Sequence, residues 1–320
     1  MGYVTGVGGL GDNSFNDLGH AGIQMLEADG FETNVIEPSA ASEYENVVRS
    51  LCQEGDYDLI VAMGSETVDA VTVAQADFPD QKFLVIEAMP ALPNTRGVQV
   101  DLNDMGFLMG AYAALMEKEG GLEKGEATDT FGIVGGMDFP LIRAITVAYE
   151  CGVRYINPDY KVLVSFAGSF GDPGKGSELA LNMYDQGARV VAQAAGGTGM
   201  GVFEAAKDRD LYSVGSDTNQ NAIAPDNIIA SAARRVDLEI YKAGLSVRDG
   251  SFEEGDFLVT LETDPEAINL HYDGSNITPP DSVVKALADM VALRTENAVP
   301  LPEENEGIED YLASVGVYGA

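Results

Sequence analysis

Short, almost purely apolar runs alternate with helically spaced segments from the first residues to about position 250. That alternation constrains the fold of this 320-residue chain more than any other feature. Runs such as residues 4–7, 57–62 and 83–86 lack an in/out period, which suits parallel strands covered on both faces. Further strands are expected at 33–36 and 97–100, with helices over 14–29, 42–53, 67–78 and 104–118. Ser42 and Glu45 read as a capping box opening the second of these helices. After a soft polar stretch, residues 119–129, a second series begins, with strands at 131–134, 161–166, 189–193, 212–214 and 228–231. Its helices are expected over 141–155, 177–185, 201–207 and 238–249. Two doubly wound, Rossmann-like α/β lobes follow from this pattern. The segment from about Pro300 reads as an acidic, turn-rich tail containing a short apolar stretch, 308–315.

Charge narrows the function. With 52 acids against 18 Lys and Arg, the net charge is −34, the opposite of what a phosphate-backbone reader needs. An anionic membrane surface would repel such a chain, whereas concentrated salt would screen its self-repulsion. A solvated acidic surface is the expectation, in preference to a cation sponge. Cys52 and Cys151 read as lone buried thiols, and His20 and His271 lack the spacing of a metal site. No cofactor and no metal are expected. The most apolar stretch, residues 105–116, is too short to span a membrane and reads as a buried helix. The chain opens abruptly on a strand, as a trimmed chain would, so a missing signal peptide says little about location.

Gly6-Val7-Gly8-Gly9-Leu10-Gly11 matches G-x-G-x-x-G after a strand, so a dinucleotide site has to be weighed. Asp12-Asn13-Ser14-Phe15-Asn16-Asp17 then puts a carboxylate where a pyrophosphate would lie. The alternative is a turn that carries polar side chains and one aromatic to the C-terminal edge of the sheet, where open α/β sheets bind ligands. The stretch from Gly168 to Gly176 resembles a P-loop but has Gly176 after Lys175, with no hydroxyl for magnesium, and reads as a turn before a helix. Ala195-Gly196-Gly197-Thr198-Gly199 opens another helix with backbone amides that could meet a ligand, or simply packs closely. Asp217, within Gly215-Ser216-Asp217-Thr218-Asn219-Gln220-Asn221, could accept from ring N–H groups or ribose hydroxyls. Arg234-Arg235 stands out among only ten arginines. Asn276-Ile277-Thr278 has the form of an N-glycosylation acceptor. No catalytic constellation emerges, so a binder rather than an enzyme is expected.

Gly11-Asp12-Asn13-Ser14-Phe15-Asn16-Asp17 resembles the opening block of the basic membrane protein family, purine-nucleoside receptor-like lipoproteins that serve ABC importers. Blocks around Gly55–Val61, Phe107–Gly110, Gly132–Pro140, Gly168–Asp172, Ala195–Val202, Val214–Gln220 and Ser231–Asp237 follow in the family's order, so the resemblance covers about residues 3–300. It implies a type I periplasmic-binding-protein fold whose chain crosses between two hinged lobes more than once, with a nucleoside held between them. On this reading lobe 1 is residues 1–128 plus about 263–300, lobe 2 is 129–262, and 301–320 is the tail. Carried over, Phe15 stacks on the base while Asp12 and Asn16 contact base or ribose. Asp217 binds from the second lobe, the Gly197–Gly199 turn approaches the ligand, and Asp101 is a further candidate. Arg234 stands where the family commonly has Lys, keeping a charged donor with a different shape. Relatives often add an aromatic just before the Gly-Gly turn, where Ala192 and Gln193 stand here. They also use Gly-Phe where Gly64-Ser65 stands.

The resemblance implies an extracytoplasmic, lipid-anchored, cell-surface binding protein, and the acidic, lysine-poor composition suits a salt-loving host. It is expected to be monomeric, to deliver a nucleoside (purine favoured) to ABC permease subunits, and to bind no nucleic acid. Alternatives are another heterocycle such as riboflavin, a nucleotide-dependent oxidoreductase using the Gly6–Gly11 loop, a ligand-sensing regulator, or a structural surface protein.

Overall fold

The computed structural model describes residues 1–296 and 299–318. The chain forms two α/β units, the first from Met1–Val100 and Arg235–Val259, the second from Asp101–Arg234 and the segment from Thr260 onward. The first segment carries β1 (Gly2–Val4), α1 (Phe15–Ala28), β2 (Asn34–Ile36), α2 (Tyr44–Glu54), β3 (Ile60–Met63), α3 (Val68–Asp77), β4 (Phe83–Ile86) and β5 (Thr95–Val100). The second begins with α4 (Leu102–Lys118), β6 (Thr130–Gly135), α5 (Pro140–Ile156), β7 (Lys161–Phe166) and α6 (Pro173–Asp185). It continues through β8 (Val190–Ala194), α7 (Gly199–Arg209), β9 (Tyr212–Asp217) and β10 (Ile228–Arg234). The chain then returns to unit 1 for α8 (Val236–Asp249) and β11 (Gly255–Val259), and ends in unit 2 with β12 (Ile268–His271), α9 (Asp281–Glu296) and α10 (Ile308–Val315).

Each unit is built on one six-stranded sheet, ordered β11-β5-β4-β3-β1-β2 in unit 1 and β12-β10-β9-β8-β6-β7 in unit 2. The strands are parallel except β12, which runs antiparallel to β10 with His271 opposite Ser231. Within each sheet the chain moves outward in both directions from a central pair, β1 and β3 or β6 and β8. The crevice above that pair's C-terminal ends is the topological switch point. The central strands are buried along their whole length, as their continuous apolar runs require. The two thiols are buried and unbridged.

The division of the chain differs from the sequence expectation. Residues 263–300 do not rejoin the first unit; β12 extends the second sheet, and α9 is held to α4 by the buried pair Arg294–Asp104 at 2.6 Å. Residues 297 and 298 of that expected segment lie outside the described residues. The polar stretch 119–129 is not a linker between units. The Arg189 guanidinium donates to the carbonyls of Lys124 (2.7 Å) and Leu122 (2.8 Å) and pairs with Glu117, while Tyr212 Oη accepts from the Glu123 and Lys124 amides. A polar loop is thereby fixed within unit 2, and the first crossing occurs at Val100–Asp101, a tight strand-to-helix junction. Nor is 308–315 part of a turn-rich tail: Ile308, Tyr311 and Leu312 of α10 are buried, Tyr311 meets Phe107, and Arg154 pairs with Glu309 at 2.7 Å. Residues 319 and 320 of the expected tail lie outside the described residues.

The capping box at Ser42 and Glu45 does not form. Residues Ala41–Glu43 make a turn of 3₁₀ helix, and it is Glu43 that reaches back to accept from the Ser39 amide at 2.7 Å. Residues 105–116 do lie in a buried helix: every residue of α4 from Asp104 to Met116 is buried.

Candidate functional site

In unit 1 the loop between β1 and α1 is tied together by side chains. Asp12, buried at 8% exposure, accepts from the amides of Ser14 (2.9 Å), Asn16 (3.0 Å) and Asp17 (3.2 Å), and from Asn16 Nδ2 at 3.0 Å. Burial raises its pKa, opposed by those backbone hydrogen bonds. Its two carboxylate oxygens are thus both engaged within the loop. Asn16 is clamped in turn, its Oδ1 accepting from the Gly6 amide at 2.7 Å and its carbonyl from Tyr3 Oη at 2.9 Å. The result is a fixed platform from which Phe15, the first residue of α1, projects half-buried.

This geometry removes the dinucleotide reading of Gly6–Gly11. The Val7 amide donates to Glu66 (3.3 Å), Leu10 to Glu37 (2.7 Å), and Gly11 and Asn13 to Asp17 (both 2.8 Å). A pyrophosphate needs such amides for itself, and here it would meet the carboxylates already holding them.

Asp217 and Arg234 end the adjacent strands β9 and β10, and they pair: Arg234 Nε donates to Asp217 Oδ1 at 2.7 Å, with both side chains under one-tenth exposed. Asp217 holds a left-handed backbone at φ +70°, which turns the chain sharply as it leaves the sheet. Its neighbours in the polar block serve the framework instead. Gln220 Oε1 accepts from the Ser216 amide (2.9 Å) and from Gln193 Nε2 (2.9 Å), and Asn221 Nδ2 donates to the His271 carbonyl (2.8 Å), fixing β12. Gly197 lies half-exposed in the turn after β8. Gly199 opens α7 against Gln193, whose amide oxygen a Cβ there would strike, so close packing accounts for this glycine. Asp101 caps α4, accepting from the Asn103 amide at 2.9 Å, and burial raises its pKa.

The expected position of a second aromatic is not at an edge at all: Ala192 and Gln193 are fully buried within β8. An aromatic missed in the sequence does stand at the switch point of unit 2. Phe170, in the loop after β7, lies half-buried over Gly136 and Gly196, where an added Cβ on Gly136 would run into its ring. Phe139 contacts it edge-on with centroids 6.0 Å apart. Thr198 pins the loop, its amide donating to the Phe170 carbonyl (3.0 Å) and its hydroxyl to the Ser169 carbonyl (2.9 Å). The glycines at 136 and 196 were the available signal, since a ring seated at a crevice needs small residues beneath it.

Each unit thus sets one aromatic beside polar side chains at the switch point of its own sheet, the construction of a solute-binding protein of the type I periplasmic fold. A solved ABC transporter solute-binding protein from Aeropyrum pernix K1 superposes with a TM-score of 0.77 at 27% identity, over 98% of this chain and 85% of that one. The family model described as Bmp, ABC transporter substrate-binding protein PnrA-like, matches residues 2–285, and the chain belongs to that family. An uncharacterised lipoprotein of Pyrococcus abyssi is 32% identical over 270 residues, 80% of this chain and 64% of the relative's length. The ABC transporter nucleoside-binding protein BmpA of Lactococcus lactis is 27% identical over 314 residues, 90% of this chain and 86% of that protein.

Proposed function

We propose that this chain is a lipid-anchored extracytoplasmic receptor that captures a nucleoside and hands it to the permease of an ABC importer. The observation that carries the reading is the pair of aromatics, Phe15 and Phe170, each at the C-terminal edge of its own sheet beside hydrogen-bonding groups. A nucleoside has an apolar face for such rings and a ring of donors and acceptors for the groups around them. Each ring offers its own unit's face for stacking a base, with purines favoured for their larger face. Asp217, oriented by Arg234, accepts from ribose hydroxyls or base N–H groups. Gly197 meets the ligand through its backbone, and Asn16 and Asp12 hold Phe15 in place. The carboxylates around the β1–α1 loop select against phosphorylated ligands, because Glu66, Glu37 and Asp17 already occupy its amides. The names of the lactococcal and archaeal relatives, nucleoside-binding protein and lipoprotein, support the solute and the anchor.

Stacking of a base on an aromatic ring is worth about 1–3 kcal/mol by alanine substitution, roughly a fivefold to 150-fold change in affinity. Phe15→Ala and Phe170→Ala are each expected to weaken purine nucleoside binding within that range by calorimetric titration, while Phe15→Tyr and Phe170→Tyr retain it. Unchanged affinity in both alanine variants would remove the stacking site.

A further inference from the structure

The only Asn-x-Ser/Thr pattern in the chain is Asn276-Ile277-Thr278, and the binding reading gives it no role. It lies in the irregular segment between β12 and α9, ahead of Pro279 and Pro280, and both Asn276 and Thr278 are exposed. The segment is held at its start by hydrogen bonds to the chain leading into β10. The Asn276 amide donates to the Pro225 carbonyl at 2.8 Å, and Ser275 Oγ to the Ile228 carbonyl at 2.7 Å. These are the residues that lead into β10, so Asn276 stands at the N-terminal end of the second sheet, opposite the edge that carries Asp217, Arg234 and Phe170. Its Nδ2 donates to the exposed Asp226 carboxylate at 2.8 Å, a contact that yields readily in water. Beside it opens a hollow of about 700 Å³ lined by Lys124, Asp210, Asp226, Asn276 and Thr278 among others, polar enough to seat the first sugars.

We infer that Asn276 carries an N-linked glycan. The acceptor chemistry needs a reachable carboxamide followed two residues later by a hydroxyl, in a surface loop, and this segment supplies both. Nδ2 forms a bond to C1 of a sugar carried on a lipid-linked phosphate. The C1–O bond breaks, the lipid phosphate leaves with the electron pair, and Nδ2 loses one proton to a base and keeps the other. A glycan there stands clear of the ligand edge and adds hydrated bulk to an already anionic surface.

The inference rests on the proposed extracytoplasmic location, because it requires a membrane-bound lipid-linked donor. The test is glycopeptide mass spectrometry of the chain purified from its own cells, alongside protease treatment of intact cells. The expected result is a chain cleaved by external protease whose 276-bearing peptide carries added hexose-series mass. That mass should be lost in Thr278→Ala and kept in Thr278→Ser, with nucleoside affinity unchanged in both. A protease-accessible chain whose Asn276 is wholly unmodified overturns the glycan and leaves the location standing. A chain shielded from external protease overturns both.

Discussion

Asp217→Ala is expected to lower stability by about 3–5 kcal/mol and to abolish nucleoside binding together. Removing one partner of a buried ion pair leaves the other desolvated and unpaired, and that penalty, not the lost attraction, sets the size of the effect. Arg234 is 6% exposed, so without the Asp217 carboxylate its buried charge at the end of β10 loses that acceptor. Replacing both residues by apolar ones of similar volume, Asp217→Leu with Arg234→Met, is expected to recover most of the stability, because two matched charges leave together. Binding should stay absent in the double variant. Urea denaturation and calorimetric titration of the three proteins separate the roles: a double variant that regains stability and also binds would make the pair purely structural.

Gly152→Val is expected to be the next most damaging change, about 3 kcal/mol, with a lower urea midpoint. α4 and α5 approach so closely that their backbones touch. A Cβ on Gly152 would overlap the Phe107 carbonyl, and one on Gly110 the Tyr149 carbonyl. A side-chain neighbour could rotate away, but a carbonyl in a helix cannot, so the helices must separate. Overpacking of this kind costs about 1–3 kcal/mol, and a backbone obstacle places it at the upper end. Separation would also disturb the faces on which α4 meets α9 and α5 meets α10. Gly171→Ala, where an added Cβ meets nothing, is the control and should shift the midpoint by less than about 0.5 kcal/mol. Equal midpoints for Gly152→Val and Gly171→Ala would show that the helices tolerate a wider spacing.

Strand–helix alternation made the two doubly wound sheets legible because buried parallel strands are written as continuous apolar runs. β11 and β12 escaped notice for the converse reason: both lie at sheet edges, alternate in burial or are only partly covered, and lack such runs. α9 buries a single stripe, Val283, Ala286, Leu287, Met290 and Arg294, whose last member is a charge satisfied by Asp104. The unit boundary was misread because polar composition ordinarily marks a linker, whereas Arg189 and Tyr212 supply the polar partners that fix residues 119–129. Of the candidate residues, Phe15 and Asp217 stood out from local motifs. Phe170 did not, since its position over Gly136 and Gly196 depends on three loops meeting at the second sheet's switch point. Asp12 and Asn16 were found as residues, but only the hydrogen bonds show that they build the platform for Phe15.

The ligand proposed for this chain is an uncharged nucleoside. Calorimetric titration of the purified chain in molar salt, with nucleosides, the matching 5′-monophosphates, free bases, riboflavin and NAD, tests it most directly. The prediction is saturable binding of one nucleoside group, purines above pyrimidines, with the monophosphates at least tenfold weaker, about 1.4 kcal/mol. Silence from every nucleoside with heat from riboflavin or NAD, or monophosphates binding as tightly as nucleosides, would contradict it.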